Sequence, residues 1–193
     1  LAQDNLKRLL AFSTVSQLSY VVLGATLGTP DAFAGGVMHI ASHAVLKITL
    51  FFCAGAIYVA THLERVSELG GIGRRMPLTM TAFAAAALML AGLPPGAGFV
   101  SKWRLLVGAA ESAAWLAMTT LLLSTVLNIA YFVPIIVRAF TGPAAPVKEA
   151  PLAVLAPLLV TACAGLLLWL APDAFGHLLT LAQTTAASVL RAP

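Results

Sequence analysis

The chain has 193 residues, of which only 9% are charged; an ordinary soluble protein carries roughly 25%. A mean hydropathy of +0.96 and repeated long apolar runs exclude a soluble globular domain and leave room for about six spanning helices of ~20 residues each. The net charge of +4 comes from residues scattered at helix ends, so it is no nucleic-acid footprint, and the continuously apolar runs exclude a barrel. The expected class is all-α: a polytopic transmembrane bundle in contact with lipid.

The first predicted helix covers residues 5–27, with Lys7 and Arg8 at its start as interfacial anchors. Ser13, Ser16, Gln17 and Tyr20 follow at i, i+3, i+4 and i+7, one polar stripe on an apolar helix. Such hydroxyls and amides can line a water chain without carrying net charge, and they can equally pack against a neighbouring helix. A turn around Pro30 leads to a second helix over 34–60. The longest polar interval, THLERVSELGGIGRRMP, comes next, broken by Gly70, Gly71 and Gly73.

Met76 to Leu93 reads as a third span. It stops at GLPPGAGF, where Pro94 and Pro95 remove backbone donors and the glycines loosen the chain. One broken helix near Pro94–Gly98 is therefore expected, continued by a short, half-buried helix through VSKWRLLVGAAES. Ala113 to Val137 is a further span containing Pro134, and TGPAAPVKEAP is a linker by composition. Leu152 to Ala171 spans again, and 174–191 is a weaker, interfacial helix. Two parts are expected, 1–140 and 141–193.

The second helix holds the most unusual residues. His39, His43 and Lys47 stand at four-residue intervals, so they share one face and climb roughly 12 Å of a ~30 Å apolar core. A lysine at that depth costs ~3 kcal/mol or more unless it meets a partner or a watered cavity. Histidine takes and releases protons near neutral pH, and a desolvated lysine can do the same, so the ladder suits a proton relay. Interhelical hydrogen bonding with a snorkelling lysine is the competing reading. Lys102, a few residues past the Pro94–Gly98 break, is either part of an ion site at a broken helix or an interfacial lysine.

Other chemistries find little here. His39 and His43 lack an HExxH glutamate and a third ligand, so no metal is expected. Cys53 and Cys163 both fall in apolar runs and read as small core residues. There is no nucleotide loop, haem motif or nucleophile–base set, and no cofactor is expected.

If the helices alternate sides, Arg65, Arg74, Arg75, Arg138 and Lys148 collect on one face, while the turn from Gly28 to Ala34 has no Lys or Arg. The positive-inside rule then puts the Gly70 loop in the cytoplasm. The chain opens on Leu1 with no basic-then-apolar signal before the first helix, as a trimmed or partial polypeptide would.

Four stretches come in the order and spacing of one family: NLKRLLAFSTVSQLSYVVLG, HIASHAVLKITLFFCAGAI, LGGIGRRMPLTMTAF and AGLPPGAGFVSKWRLL. Over residues 4 to about 140 the chain resembles the proton-translocating, antiporter-like subunits of respiratory complex I and the large subunits of multisubunit Na⁺/H⁺ antiporters. It leans toward the antiporter branch, and there toward the D-type large subunit. The resemblance implies a relay through Lys7, His39, His43, Lys47 and Lys102, so that Lys7 becomes a candidate for the ion path. It also implies partner membrane subunits, H⁺ and a monovalent cation such as Na⁺ as the ions, and a bacterial plasma membrane. The family has two inverted repeats, the first with an essential glutamate–lysine pair. This chain looks like the C-terminal half alone, with the N-terminal half among its partners. The implied function is proton translocation within a cation/H⁺ antiporter. The alternatives are a pump module of a redox-driven quinone reductase or membrane hydrogenase, and a transport-inactive structural subunit; in none does the chain itself carry enzyme chemistry.

Overall fold

The computed structural model describes residues 3–143, 147–173 and 176–190. These form α1 (Leu6–Thr26), α2 (Pro30–Thr61), α3 (Pro77–Ala91), α4 (Ala97–Glu111), α5 (Trp115–Phe140), α6 (Leu152–Leu170) and α7 (Leu178–Leu190). Two single-turn 3₁₀ helices, Val66–Glu68 and Ile72–Arg74, occupy the polar interval between α2 and α3. Residues 144–146 of the expected linker, and residues 174, 175 and 191 of the expected last helix, lie outside the described residues.

The helix starts follow from local chemistry. Asn5 caps α1 by accepting from the Arg8 amide, and Thr29 caps α2 by accepting from Ala32. Pro30 occupies the first turn of α2, where its missing amide proton costs nothing. That pairing explains why α2 begins four residues before the sequence-based boundary at 34. At 32 residues α2 extends about 48 Å, well beyond a ~30 Å hydrocarbon core.

α2 is the central post, packing against α1, α3, α4, α6 and α7. Its neighbours' directions can be read from close approaches. Leu6 at the start of α1 hydrogen-bonds Glu64 beyond the end of α2, while Gly24 near the end of α1 meets Ala32 and Gly36 near the start of α2. α1 and α2 are thus antiparallel. α3 starts beside Ile72–Arg74, at the Glu64 end of the bundle, and α4 finishes with Gly108 against Thr29 and Ala32 at the opposite end.

The consequence is that α3 and α4 run in the same direction. Each has 15 residues, about 22 Å, and is too short to cross alone. Together they make one crossing with a break at Gly92–Gly96, which is the broken helix expected from GLPPGAGF. α1, α2, α5 and α6 are each long and apolar enough to cross a membrane. α7, with 13 residues, packs through Leu178, Leu179 and Ala182 on Ala34, Val37 and Met38 of α2.

The main core lies between α2, α3, α5 and α6, around Leu46, Leu50, Met80, Phe83, Leu90, Phe132 and Leu158. Phe12, Val15, Leu116 and Leu123 are exposed on the outer faces of α1 and α5, as expected of surfaces that meet lipid or other apolar subunits. Cys53 is buried as expected, but Cys163 is exposed because its position on α6 turns away from α2 and α3.

Glycines set the closest contacts. A Cβ on Gly35 would lie 2.8 Å from the Leu105 amide nitrogen and 2.9 Å from the Ser101 carbonyl oxygen, both backbone atoms of α4. Gly55 has no neighbour within 4 Å of such a Cβ. At the Glu64 end, the residues before α1 clasp the polar interval. The Asp4 carboxylate accepts from the Ser67 amide at 2.8 Å and from the Ser67 hydroxyl at 2.7 Å. Glu64 accepts from Lys7 Nζ at 3.0 Å and Asn5 Nδ2 at 3.2 Å.

Two outcomes are expected. In the detergent-solubilised parent protein, Gly35→Leu forces α2 and α4 apart and destabilises by about 1–3 kcal/mol, read as a lowered thermal midpoint, while Gly55→Ala does not lower the midpoint. The clasp depends on pH. Bonds from Ser67 hold the Asp4 carboxyl below its ordinary range, and those from Lys7 do the same for Glu64. Depressed carboxyls contribute at neutral pH and lose that contribution as pH falls through their folded-state values. Amide exchange at Ser67, corrected for intrinsic rate, should therefore accelerate only below about pH 4.

Candidate functional site

His39, His43 and Lys47 recur every four residues along α2, so their side chains stack on its one face, and that face is buried. The two imidazoles lie roughly parallel, with centroids 6.0 Å apart and planes at 23°. Beyond His39 the Tyr20 ring of α1 stands edge-on at 5.1 Å, and Lys102 Nζ of α4 sits 4.7 Å from the centroid of the same ring. Lys47 closes the other end by donating to Ser13 Oγ of α1. The order along the file is Lys102, Tyr20, His39, His43, Lys47, Ser13.

Several members are held by neighbouring elements. Ser101 Oγ lies 2.9 Å from His39 Nδ1 and donates to the Gly98 carbonyl at 3.1 Å, which anchors the ring to the first turn of α4. Lys102 Nζ donates to the Ala91 carbonyl, the last residue of α3, at 2.8 Å. α1 is fixed by an amide network with α5. Gln17 Nε2 donates to Asn128 Oδ1 at 2.9 Å, the Tyr131 hydroxyl to the same oxygen at 2.5 Å, and the Tyr20 hydroxyl to Ser124 Oγ at 2.6 Å.

Three buried polar atoms have no hydrogen-bond partner among the described residues: Gln17 Oε1, His39 Nε2 and His43 Nε2. A buried polar atom left so costs about 1–3 kcal/mol, and in folded proteins ordered water commonly meets it. Both histidines therefore present a ring nitrogen that protein atoms do not engage, one imidazole apart from the next.

Charge is distributed unusually. All seven acidic residues of the chain lie in loops or in the first or last turn of a helix. The ion pairs among the described residues are Lys7–Glu64, at 3.0 Å, and Arg104–Asp31, at 2.5 Å. Lys47 and Lys102 have no carboxylate beside them; a hydroxyl, a carbonyl and an aromatic face are what meet their ammonium groups. No group of three metal-ligating side chains occurs among the described residues.

Two sequence-based candidates lie apart from the file. Lys7 is half-exposed at the Glu64 end, over the Tyr58 ring at 4.2 Å, and six residues, roughly 9 Å, along α1 from Ser13. Ser16 is exposed. It lies about 60° around the helix from Ser13 and about 100° from Gln17, which turns it out of the face that α2 covers. Ser13, Gln17 and Tyr20, at i, i+4 and i+7, keep within a narrower arc and are buried.

Ser101, Asn128 and Tyr131 were not among the sequence-based candidates. Ser124, Asn128 and Tyr131 repeat the i, i+4, i+7 spacing of the α1 stripe on an otherwise apolar helix. An intramembrane Asn at that spacing is the signal that would have found them. Ser101 carries no such signal, since its role depends on how α4 docks.

Residues 1–128 match the family model described as NADH:quinone oxidoreductase/Mrp antiporter, TM. The chain is 46% identical over 140 residues to NADH-quinone oxidoreductase subunit N of Desulforudis audaxviator, covering 72% of this chain and 28% of that one. It is 37% identical to F(420)H(2) dehydrogenase subunit L of Methanosarcina mazei, over 74% of this chain and 23% of the relative. Its fold matches a chain of the Mrp complex from Dietzia sp. with a TM-score of 0.90 at 25% identity, covering 98% of this chain and 44% of that one. Respiratory complex I from Thermus thermophilus gives 0.86 at 27% identity, over 99% and 41%. The chain therefore spans less than half the length of these relatives. With a family match over most of its length and apolar helices arranged as in those membrane assemblies, it belongs to the NADH:quinone oxidoreductase/Mrp antiporter family of integral membrane subunits.

Proposed function

We propose that residues 1–140 are the second-repeat proton-translocation module of an antiporter-like subunit, with 141–193 supplying helices that pack beside it. The module passes protons laterally through Lys102, His39, His43 and Lys47. The observation that carries this reading is the buried, carboxylate-free file in which two lysines bracket two histidines. Proton transfer needs groups that alternate between donor and acceptor, and imidazole does so through its two nitrogens. His39 is held at Nδ1 by Ser101, which leaves Nε2 as its exchangeable position. His43 Nε2 is likewise without a partner among the described residues. Water bridging those nitrogens would complete the path, with Ser13, Gln17 and Tyr20 as its polar wall.

Lys47 and Lys102 act as end stations. A positive charge nearby makes protonating an imidazole costlier, so arrival of charge at one station favours release at the next. Lys7, paired to Glu64, stands at the Glu64 end as the point where the file meets the bulk phase. That end carries Lys7, Arg8, Arg65, Arg74, Arg75, Arg138 and Lys148, which supports placing the Gly70 loop in the cytoplasm of a bacterial plasma membrane. The partners are the N-terminal repeat, which relatives of twice the length or more would supply, and other membrane subunits.

In an antiporter, the moving protons exchange against Na⁺ or another monovalent cation. A redox-driven pump is the second reading, favoured by the 46% identity to an NADH-quinone oxidoreductase subunit. Electron-transfer chemistry would then lie on other subunits, with this chain relaying the protons.

The test is proton movement in inverted vesicles carrying the whole parent assembly at matched levels, driven either by an imposed cation gradient or by substrate oxidation. Lys47→Met should lower flux by at least about tenfold, equivalent to about 1.4 kcal/mol on the barrier, without loss of assembly. His39→Ala should do likewise. Which driving force supports the flux separates the antiporter from the pump. Wild-type flux from both variants would favour the transport-inactive reading.

A further inference from the structure

The α3 terminus satisfies its own carbonyls with unusual economy. Gly92 takes a left-handed conformation at φ +101°, and its amide donates to the Leu88 and Met89 carbonyls at 3.2 and 3.1 Å. The Leu93 amide also turns back to the Leu88 carbonyl, at 3.1 Å. This cap engages the Leu88 and Met89 carbonyls and leaves that of Ala91, the last residue of the helix, to another donor. Lys102 Nζ takes that carbonyl at 2.8 Å. The ammonium therefore sits on the negative end of a helix dipole, where a cation is favoured.

Gly92 also leaves open the space that the Lys102 stem fills. A Cβ at position 92 would lie 2.8 Å from Lys102 Cδ and 3.6 Å from both Cε and Nζ. Any side chain there would contest the space that the lysine stem fills, besides being strained at that φ. On the opposite side the Tyr20 ring faces Nζ at 4.7 Å, presenting the electron-rich surface that attracts a cation. Tyr20 is itself fixed by its bond to Ser124.

We propose that Gly92 is a positioning residue for Lys102: together with the Ala91 carbonyl and the Tyr20 ring it forms a carboxylate-free ammonium seat that sets the proton affinity of this station. The inference rests on the reading that Lys102 carries protons. Around Lys102, α1 contributes the titratable Tyr20 and α2 the titratable His39, with His43 and Lys47 further along the same face. Asp31 of α2 is engaged by Arg104. α3 contributes the Ala91 carbonyl, and α5 contributes Leu121, Leu122 and Thr125, none of them titratable. The seat is what favours the charged form in an otherwise apolar interior.

The experiment is the pH profile of proton flux in vesicles carrying the whole parent assembly, compared among Lys102→Met, Gly92→Ala, Tyr20→Leu, Tyr20→Phe and Gly28→Ala. Gly28 has a similarly left-handed φ of +68° but nothing within 4 Å of an added Cβ, so it reports backbone strain alone. Lys102→Met should abolish flux. Gly92→Ala and Tyr20→Leu should each move the alkaline limb of the profile toward lower pH by about half a unit or more, because the ammonium has lost part of its seat. Tyr20→Phe keeps the ring and should hold the limb near its wild-type position, and Gly28→Ala should not move it.

Loss of flux in Lys102→Met combined with unmoved limbs in Gly92→Ala and Tyr20→Leu would overturn the seat while leaving the relay intact. Normal flux in Lys102→Met would instead remove Lys102 from the relay and the seat with it. If Gly92→Ala fails to assemble, the contrast between Tyr20→Leu and Tyr20→Phe decides by itself.

Discussion

An ammonium group in an apolar interior, with no carboxylate to meet it, is the constraint on which this structure turns. Lys47 and Lys102 both lie in that position. A buried ion pair would solve the desolvation problem, but it would also fix the proton in place by favouring one charge state strongly. Hydroxyls, carbonyls and aromatic faces offer weaker compensation, enough to hold an ammonium without locking it. Under the proposed relay, the absence of carboxylates from the middle of the helices would leave the lysines free to exchange charge with the imidazoles between them.

Much of the architecture follows from supplying those weaker partners. A continuous helix has no free backbone acceptors in its interior, so a carbonyl for Lys102 exists only because the third crossing is broken after Ala91. The break in turn needs α4 to dock closely on α2, and the glycines at 35 and 108 bring the two backbones together. Ser101 then falls within reach of His39. On the other side, Gln17 and Tyr20 are held by Ser124 and Asn128 of α5, so α1 presents Ser13 and Tyr20 to α2 in fixed orientations. Packing and chemistry use the same few residues, which is why the close contacts cluster around the file.

The parts of this that could be read from sequence were those carried by periodicity and by backbone breakers. His39, His43 and Lys47 share a face by spacing alone, and GLPPGAGF announces a break whatever surrounds it. Helix boundaries came within a few residues, except where Thr29 and Pro30 start α2 earlier than hydropathy suggests. Spacing was less decisive for Ser16, because an i, i+3 relation places a residue at the margin of a stripe and the neighbouring helix decides which side of the margin is buried. The partners of the file were harder still. Ser101 and the Ala91 carbonyl acquire their roles from the docking of α4 onto α2 and α3, a long-range event with no local signature. Lys102 sits between these cases: its type and its place after the break were legible, while its seat was not.

The two ends of the file differ in a way that bears on how protons would travel through it. Lys47 meets the Ser13 hydroxyl, a group that can accept a hydrogen bond and donate one, and that already donates to the Leu10 carbonyl at 3.1 Å. By rotating, such a hydroxyl can exchange donor and acceptor roles with the group it meets. Lys102 meets a carbonyl, which only accepts, so nothing can be relayed through its seat. Charge there has to come or go through the ammonium itself, by leaving the Ala91 carbonyl or by meeting water at its remaining protons. Under the proposed relay, the Lys47 end is thus built for continuity and the Lys102 end for holding and release. Under that relay, a file with one conducting end and one gated end would have a direction of control even where its chemistry is reversible, and the control point would be the broken helix.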